Sequence, residues 1–598
     1  MKVKSTIIIY IIIFSIFKDC FAEEDLLRVV ITPTRFQENI IENNSFVEII
    51  TESDIEKSSA TNLADLLNSK SSIGIASTGG PGSVQSYFIR GFAKKYIKIS
   101  VDGMNISDPT ATQTETYLQD IPLGDIKKIE ILKSPQGPNH GGEAAGGVIS
   151  ITTKSGDYNK RAFHSKTEIG SYNSFYTGNY YSFGKEDYKV SANVNLYHTD
   201  GFSAGEKNNN TENDAYNYGN ATFKLNKKFS NNNVTFVFRD SSSKYEYDKW
   251  DQTDNNDFTK TNIKSGLVKF EFKTGKNIEQ KFIYNPTRVS RITSGSYNSD
   301  QSSSQQKLEY LIRKKNKNNS YIDIGAEHKN LKYKTGTTRV KTESNALILA
   351  GGVNPSSKTK VDLSVRRDHD QLYESHDTYR LQAGYKIDNE YKIKFSNGTG
   401  YRPPSMYERN NLASGITELK PEKTNNSEIG IEYNNYKKKL KITSSYFDGQ
   451  IKDKIDYSGG GYRQVTEKTN IKGYEVLGQK SFSKNLTVSG SYTFTDSQTN
   501  TNLRSKLVPM HKFSSSLDYD FNKFFNTNTS LIYQEKSYDT SRVELPSFTL
   551  LNSNLNYKFK EDLKLYLKFI NILDQDYQVN RNYKTSDFAL YTGIDAKF

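Results

Sequence analysis

Cysteine is almost absent from this chain, and its one cysteine, Cys20, lies close to the N-terminus. A basic start, the short apolar stretch 7–17 and small residues up to Ala22 predict an export signal over residues 1–22, cleaved after Ala22. An N-terminal anchor is the alternative, but the apolar stretch is short for a membrane span. The exported chain would have no cysteine left, which excludes disulfide bonds and cysteine-ligated metal ions.

Long apolar segments and enzyme motifs are missing as well. After the signal, no segment holds the ~18 consecutive apolar residues that suggest a helical membrane span. Apolar residues at helical spacing are scarce beyond about residue 150, although a soluble exported enzyme of this length would need them. No catalytic Ser/His/Asp arrangement, zinc motif or phosphate-binding G-x-x-x-x-G-K motif is evident. We therefore expect no enzymatic activity and no nucleotide-driven motor within the chain.

What the chain has instead is alternation of apolar and polar residues. Val268, Phe270 and Phe272 alternate with charged residues, and the same pattern recurs at 391–396 and 563–569. Such segments have one apolar and one polar face, which is typical of strands in a transmembrane β-barrel. A β-propeller or β-helix is the soluble alternative, but the sequence has no blade or coil repeat. The net charge of +13 is spread along the chain, which fits an anionic membrane surface or ligand rather than nucleic acid.

Residues 157–598 are long enough for a large barrel. At roughly 20 residues per strand and connection, they predict about 22 antiparallel strands, a size that encloses a plugged lumen. The last residues, 590–598, place apolar side chains on one face, as expected for a strand that closes the barrel against the first one. Long polar connections are expected at 241–264 and 402–426, with short turns at the opposite end.

Residues 36–156 differ from the rest and predict a small α+β domain. Ser53 to Leu67 have helical spacing with Ser53 as the cap, and short apolar runs around them predict strands. Prolines and glycines between 135 and 147 predict a tight turn between the last two strands. Because a wide barrel would leak, we expect this domain to fill the lumen. The predicted fold class is an all-β membrane protein, a transmembrane β-barrel with an N-terminal α+β plug domain in its lumen.

Short motifs along the chain carry a family resemblance. They are the segments 27–33, 87–91 with 101–103, 129–136 with 146–149, 401–405, 419–422 and 571–577. In this order they resemble the motifs of TonB-dependent outer-membrane receptors. Two departures fall in the plug, where Lys133 and Ser134 stand at positions that are usually Arg-Gly in the family. A third is the segment 138–140, which replaces one that usually carries Tyr-Gly.

This resemblance implies a function. Within the family, the plug is most similar to that of the cobalamin receptors, through segments 53–58, 64–67 and 75–82. It implies high-affinity, energy-coupled import of a scarce chelate, with cobalamin as the first ligand and a ferric siderophore as the alternative. A passive porin or an adhesin is the alternative of a different class, and a porin would lack the plug and the TonB-binding segment. The implied partners are TonB at the periplasmic face, the chelate, the outer membrane and its lipopolysaccharide. We expect a monomer that binds no nucleic acid.

The segment implied to bind TonB precedes the plug domain, in the tail 23–35. It is a short β-prone run ended by proline, which suits addition of a strand to the sheet edge of a partner. The predicted TonB-binding residues are Leu27, Arg28, Val29, Val30, Ile31, Thr32 and Pro33. The alternative is that this run forms the first strand of the plug domain.

Ligand contacts are expected from two polar plug loops and from the long barrel loops. Glycine and serine there offer adaptable hydrogen bonds, and loop tyrosines offer stacking area. The candidate ligand-binding residues are Ser77, Thr78, Gly79, Gly80, Pro81, Gly82, Ser83, Asn105, Ser107, Asp108 and Gln113. The alternative is that both are ordinary polar loops.

Acidic residues in two barrel loops predict a calcium site, because calcium prefers clustered oxygen ligands. The candidate calcium ligands are Asp214, Asp248, Asp251, Asp254 and Asp257. The resemblance supports this assignment, since cobalamin receptors use acidic loops in this part of the barrel. The spacing matches no fixed calcium motif, so solvated acidic loops are the alternative. We expect no permanently bound cofactor.

Overall fold

A computed structural model of the chain describes residues 30–31, 34–205, 212–249, 251, 253 and 255–598. The chain divides into two compact units, Met1–Asn43 and Asn44–Phe598. In the first unit, β1 (Val30–Ile31) pairs antiparallel with β2 (Glu38–Asn39). The predicted export signal lies outside the described residues.

The second unit begins with a small α+β domain. Its elements are β3 (Val47–Thr51), α1 (Glu52–Lys57), α2 (Leu63–Lys70), β4 (Gly74–Ser77), β5 (Gln85–Ile89), β6 (Phe92–Ala93), β7 (Ile97–Val101), β8 (Met104–Asn105), β9 (Ile126–Lys133), α3 (Gly137–His140) and β10 (Gly147–Thr153). One sheet has the order β3-β9-β10-β7-β8 and the other the order β4-β5-β6. Leu63, Leu66 and Leu67 of α2 pack with Ile99 and Ile129 of the first sheet in one apolar cluster. This cluster is the core that the predicted α+β domain requires.

The single helix predicted for residues 53–67 is two helices in the structure. Thr51 caps α1, because its side chain accepts a hydrogen bond from the Asp54 N–H, and the Asp54 carboxylate accepts one from the Thr51 N–H at 2.8 Å. α1 ends before Ser58, and α2 begins only after Asn62, which caps it. The prediction was wrong here because serine and asparagine side chains compete for backbone hydrogen bonds and interrupt a helix.

Among the described residues, 22 strands close into an antiparallel barrel, which confirms the predicted architecture. They are β11 (Arg161–Gly170), β12 (Ser174–Gly184), β13 (Tyr188–Thr199), β14 (Tyr216–Phe229), β15 (Asn232–Tyr247), β16 (Asp257–Thr274), β17 (Ile278–Ser294), β18 (Ser299–Lys315), β19 (Tyr321–Thr335), β20 (Thr338–Ser356), β21 (Thr359–Asp370), β22 (Glu374–Lys386), β23 (Tyr391–Arg402), β24 (Glu422–Asn435), β25 (Leu440–Lys452), β28 (Thr469–Ser481), β29 (Leu486–Thr499), β30 (His511–Asp520), β31 (Phe525–Gln534), β34 (Phe548–Lys560), β35 (Leu563–Ile570) and β36 (Ala589–Lys597). The hairpins β26 (Ile455–Ser458) with β27 (Gly461–Gln464) and β32 (Ser537–Tyr538) with β33 (Glu544–Leu545), and the helix α4 (Met406–Asn410), lie in the connections.

The barrel closes where β36 pairs with β11, as predicted from the last residues. Along each strand, exposed apolar side chains alternate with polar ones that are buried inside. Phe270, Leu347 and Leu565 are examples of the first kind, and Glu428 and Ser516 of the second. An apolar outer face suits lipid and a polar inner face suits a lumen. In the part of the chain that the structure describes, no helix is both long and apolar enough to span a bilayer.

The two ends of the barrel differ in the length of their connections. One end has short turns such as 230–231 and 561–562, whereas the other has long connections such as 403–421 and 571–588. Short turns face the periplasm and long loops the exterior in outer-membrane barrels. The long connection predicted at 241–264 is shorter in the structure, because β15 and β16 extend into it. Its polar residues had suggested a loop, but polar residues also line the lumen face of a strand.

Candidate ligand and transport site

The α+β domain lies inside the barrel, because its surface contacts the inner wall at widely separated strands. Leu267 of β16 belongs to the same apolar cluster as the core of the domain. Gly400 of β23 lies against Ala145 of the plug, since a Cβ added to this glycine would be only 2.6 Å from the Ala145 Cα. On β30, the Lys512 ammonium donates to the Asn68 carbonyl of α2 at 2.9 Å. The domain therefore fills the lumen as a plug.

Buried charges join the plug to one part of the wall. Arg90 forms ion pairs with Glu428 of β24 at 2.5 Å and with Glu475 of β28 at 3.1 Å. Lys133 of β9 pairs with the same Glu475 at 2.6 Å and with Glu48 at 3.0 Å. Side-chain exposure is only 2% for Arg90, 1% for Lys133 and 3% for Glu475. Because an unpaired buried charge is costly, loss of either partner would strongly weaken this contact.

A second buried cluster extends from the plug to an extracellular connection. Lys95 of the plug pairs with Glu422 at the start of β24, at 2.8 Å. Glu422 also pairs with Arg402, which donates to both carboxylate oxygens of Glu408 at 2.9 Å. Glu408 lies in α4, so the cluster connects the plug to the long segment 403–421.

The unusual plug residues Lys133 and Ser134 fit this arrangement. Lys133 supplies the cation that binds Glu475. Ser134 has a φ of 70°, which lies in the left-handed region that favours glycine. Its Oγ donates to Glu428 at 2.8 Å, so the side chain gains a buried hydrogen bond at a strained position. The wall glutamates were missed by sequence reasoning, because the only local signal is a carboxylate at a lumen-facing position of an alternating strand.

The first predicted ligand loop, residues 77–83, is pressed against the wall. The Thr78 N–H donates to the Val84 carbonyl at 3.2 Å and closes the loop. Gly82 has a φ of 85°, and a Cβ added there would lie 2.4 Å from Cδ2 of Tyr216. The buried positions are Gly79, Gly80, Gly82 and Ser83, and the half-buried ones are Ser77, Thr78 and Pro81. The half-buried positions are the part of this loop that a ligand can reach.

The second predicted ligand loop is a small hairpin. Asp108 and Glu115 exchange two backbone hydrogen bonds, of 2.6 and 3.0 Å. The Asp108 side chain is buried, accepts from the Tyr117 hydroxyl at 2.9 Å and pairs with Arg291 of β17 at 3.4 Å, so it stabilises the loop and joins it to the wall. Asn105 is also buried, and its N–H donates to Asn285 of the wall at 2.9 Å. Within the predicted loop, residues 105–113, the positions that remain half-buried or exposed are Ser107, Thr112 and Gln113.

Aromatic side chains lie close to both loops. A Cβ on Gly80 of the first loop would lie 3.3 Å from the Phe202 ring. The second loop contacts segment 403–421, where the Ser405 hydroxyl donates to the Thr112 carbonyl at 2.6 Å. This segment carries Tyr407, whose ring centroid lies 6.1 Å from that of Tyr462. Such neutral rings offer stacking area for a large ligand.

The predicted TonB-binding segment is described only in part. Val30 and Ile31 form β1, whose one partner among the described strands is β2 in a two-stranded sheet. The other predicted residues of the segment, Leu27, Arg28, Val29, Thr32 and Pro33, lie outside the described residues.

Three carboxylates converge beside the first plug loop. An oxygen of each of Glu212, Asp214 and Asp248 lies within 4.8 Å of the others. Glu212 Oε2, Asp214 Oδ1 and Asp248 Oδ1 are buried without a hydrogen-bond partner. Asp214 Oδ2 accepts from the Ala204 N–H at 2.7 Å, and a Cβ on Gly79 would lie 2.5 Å from the Ala204 Cβ. The group therefore adjoins the part of the barrel that touches the plug loop.

The charge of this group is unbalanced. Burial raises the pKa of Asp214 to about 7, and repulsion by Asp248 and Glu246 adds to the effect. Of the five aspartates predicted from sequence, the structure brings Asp214 and Asp248 together and adds Glu212, which the prediction missed. Asp251 is exposed and Asp257 accepts from the Ser296 N–H, and neither belongs to the group. Asp254 lies outside the described residues.

Two family models match this chain. The model described as TonB-dependent Receptor Plug Domain matches residues 39–148. The model described as TonB dependent receptor-like, beta-barrel matches residues 153–572, which is more than half of the chain. The matches divide the chain near the start of the barrel.

Curated relatives match the chain from end to end. A protein named Vitamin B12 transporter BtuB from Vibrio cholerae serotype O1 is 23% identical over 617 residues, with 95% of each chain covered. One of the same name from Photobacterium profundum is 22% identical over 597 residues, also with 95% of each chain covered.

Solved receptors share the fold at lower identity. The ferric-catecholate import receptor Fiu of E. coli K12 aligns with a TM-score of 0.80 at 14% identity, covering 96% of this chain and 99% of its own. The siderophore receptor PirA of Acinetobacter baumannii aligns with a TM-score of 0.78 at 16% identity, covering 93% and 98%. Together with the two matched domains, these observations lead to one conclusion: the chain belongs to the TonB-dependent receptor family, whose members are receptors and transporters of the outer membrane rather than enzymes.

Proposed function

We propose that this protein imports cobalamin across the outer membrane at the expense of energy delivered by TonB. The observation that carries the proposal is the match, over 95% of both chains, to relatives named vitamin B12 transporters. The plug supports active transport, because a lumen filled by a domain with buried ion pairs offers no open bore for passive diffusion.

The work that moves the plug has to come from outside the chain. Arg90 and Lys133 are held by buried carboxylates, and leaving one member of such a pair buried alone costs about 3–5 kcal/mol. The segment 27–33 is the proposed TonB-binding segment. Within the described residues, β1 has β2 on one side only, so its second edge is available for strand addition.

The ligand would rest on the two plug loops beneath the extracellular connections. Thr78, Pro81 and Gln113 are accessible there, and neutral rings such as Phe202 and Tyr407 lie close by. A surface of small polar groups and tyrosine rings suits a large ligand with both apolar and hydrogen-bonding parts. The ferric siderophore of the alternative proposal would use the same loops.

Uptake measurements test the proposal and its alternative together. Cells that lack their own cobalamin receptor are supplied with this chain and given labelled cobalamin or one of several labelled ferric siderophores. We expect TonB-dependent uptake of cobalamin and background uptake of the siderophores. Uptake of a siderophore alone would replace cobalamin as the ligand, and uptake of cobalamin without TonB would argue for a passive pore.

We further propose that Glu212, Asp214 and Asp248 bind calcium. Three buried carboxylate oxygens without hydrogen-bond partners are the hard ligands that calcium prefers. A bound cation would neutralise the group. Through Asp214 and Ala204, it would then stabilise the barrel connection against Gly79 of the first plug loop.

A further inference from the structure

One buried cation of the barrel wall lacks a carboxylate partner. Arg380 of β22 is 2% exposed, and among the described residues it forms no ion pair. Its Nη1 donates to the Gln136 side-chain oxygen at 2.9 Å and to the Ser45 hydroxyl at 3.4 Å, and both acceptors belong to the plug. Its Nε and Nη2 are buried without a hydrogen-bond partner. Because a guanidinium has five N–H donors and a full charge, the resting plug leaves Arg380 incompletely compensated.

The side chain of Arg380 extends along the wall in the direction of Glu428. Arg380 is paired with Gly398 of β23, and Gly398 with Asn426 of β24, two residues before Glu428. A Cβ on Gly398 would lie 3.3 Å from the Arg380 Cγ, so the arginine leans over the glycine towards β24. Among the carboxylates of the described residues, Glu428 is the one whose charge acts most strongly on the guanidinium. Since position 398 has no side chain, the wall places nothing there to separate the two groups.

The contacts that occupy these two groups come from the plug. Ser134 Oγ donates to Glu428 at 2.8 Å, and Gln136, two residues later, accepts from Arg380 at 2.9 Å. The ion-pair partner of Glu428 is Arg90 of the plug, at 2.5 Å. Displacement of the plug therefore removes the partners of Glu428 and Arg380 at the same time and leaves opposite charges on neighbouring parts of one wall.

We propose that Arg380 replaces Arg90 as the partner of Glu428 when the plug is displaced. In the resting receptor the plug holds the two wall residues apart, and in the displaced state they pair across Gly398. The exchange prevents Glu428 from being left as an uncompensated charge, which is the main cost of breaking a buried ion pair. Arg380 is thus a positioning residue for plug movement and not a contact of the imported chelate. The inference rests on the proposed function only in that import displaces the plug.

Release of the plug in urea tests the exchange without TonB or a ligand. Ala144 is fully buried and its carbonyl accepts from the Gln136 N–H, so Ala144→Cys places a thiol that reports on this part of the plug. The one native cysteine, Cys20, lies in the predicted export signal. The purified full-length receptor in detergent is alkylated at urea concentrations at which heat-modifiable migration shows a folded barrel. At low reagent concentration, the alkylation rate follows the equilibrium population of the released plug.

The exchange and a simple holding role predict opposite signs. R380Q in the A144C receptor should lower the alkylation rate about tenfold, because the displaced state loses its new ion pair and the resting state loses an incompletely compensated cation. If Arg380 instead held the plug through Gln136 and Ser45, R380Q would loosen the plug and raise the rate. A raised or unchanged rate would overturn the proposal. Because no ligand is used, this outcome is independent of whether the receptor imports cobalamin.

A double-mutant cycle identifies the partner. E428Q removes the carboxylate, so R380Q should lose most of its effect on alkylation in the E428Q receptor. The matched control is R313Q, which removes a buried wall arginine whose partner, Asp323 at 2.6 Å, is also on the wall, and it should leave plug release unchanged. An equal effect of R380Q with and without Glu428, or the same effect from R313Q, would contradict the exchange.

Discussion

The plug has two surfaces of opposite character: the surface that meets the wall and the loops that point to the exterior. On the wall side, Arg90, Lys95 and Lys133 are buried and held by carboxylates of β24 and β28. In the first outward loop, by contrast, the contacts with the wall are close approaches of glycine backbone, Gly79 to Ala204 and Gly82 to Tyr216. The first surface keeps the plug in place, and the first outward loop shapes a binding surface through close contacts of glycine.

This difference separates the two tasks of a gated importer. Buried ion pairs are costly to break, so the plug resists spontaneous displacement and requires applied force. Glycine contacts are weaker, so the first outward loop can adjust to a ligand while the ion pairs with the wall remain intact. Changes at the wall should therefore affect transport or the barrier, whereas changes in the loops should affect binding.

The largest expected effect is loss of uptake when the proposed TonB-binding segment is removed. Deletion of residues 27–33 removes the proposed strand for TonB and no residue of the two plug surfaces described above. We expect uptake of labelled cobalamin to fall to background while cobalamin binding to isolated outer membranes is unchanged. If binding falls together with uptake, the segment is part of the plug fold instead.

Removal of the Arg90 cation should weaken the contact between the plug and the barrel wall. Arg90→Ala removes the cation that pairs with buried Glu428, while Glu475 keeps Lys133, and the loss costs about 3–5 kcal/mol. We expect a loosened plug, measured as increased entry of a large antibiotic into cells and faster proteolysis of the plug.

An exposed ion pair provides the control for this change. Lys597→Gln breaks the contact with Glu56 at 2.8 Å, but Lys597 is 51% exposed, so we expect an effect of less than about 1 kcal/mol and unchanged antibiotic entry. Equal behaviour of Arg90→Ala and wild type would show that the buried cluster does not hold the plug.

A change in the first outward loop should weaken binding but leave the barrier intact. Gly82→Val combines a φ of 85° with a Cβ only 2.4 Å from Cδ2 of Tyr216, so the loop has to move. A misplaced contact surface should lower cobalamin affinity about tenfold, or ~1.4 kcal/mol, in equilibrium binding to outer membranes. Gly103→Ala is the matched control, since its φ of 84° is similar but a Cβ there would meet nothing closer than 3.7 Å. Unchanged affinity in Gly82→Val would remove this loop from the site.

The smallest expected effect concerns the carboxylates beside that loop. Asp214→Asn should abolish the heat of calcium binding in calorimetric titration, whereas Asp251→Asn, in the same region but outside the group, should not. Cobalamin affinity should fall only a few-fold, about 1 kcal/mol or less, because the loop loses support rather than contacts.

Calcium binding by this group should also depend on pH. The pKa of Asp214 is raised to about 7, so without calcium its contribution to stability is present at low pH and is lost as the pH rises through about 7. Calcium competes with the proton, and its affinity should fall by up to about tenfold per pH unit below about 7. A titration without heat at any pH would contradict the calcium proposal.

The sequence predicted the barrel and its plug because both depend on local patterns. Alternation along strands such as β16 and β35 is visible within ten residues or so, and the strand number follows from length. Prediction from local pattern failed where one residue type occurs in two kinds of structure. Ser58 follows the end of α1 and Asn62 caps the start of α2. Ser241, by contrast, lies within a strand of the wall, where its side chain is buried on the lumen face.

The site was harder to predict than the fold, because its contacts join distant parts of the chain. Nothing near Arg90 in the sequence indicates Glu428 or Glu475, and Glu212 joined Asp214 and Asp248 only in three dimensions. The strained φ of Ser134 could not be read from its identity, since serine rarely adopts this conformation. Asp108, one of the predicted ligand residues, is buried and contacts both Tyr117 of the plug and Arg291 of the wall, contacts that its sequence neighbours do not indicate.

The pairing of β11 with β36 also determines when the barrel can close. The Phe598 N–H donates to the Phe163 carbonyl at 2.7 Å, and the reverse bond measures 2.9 Å. β36 pairs with both β11 and β35, so these two strands keep open edges until the last strand is in place. The ion pairs of Arg90 depend on the same closure, because their carboxylates lie on β24 and β28 and meet the plug only where the wall encloses it.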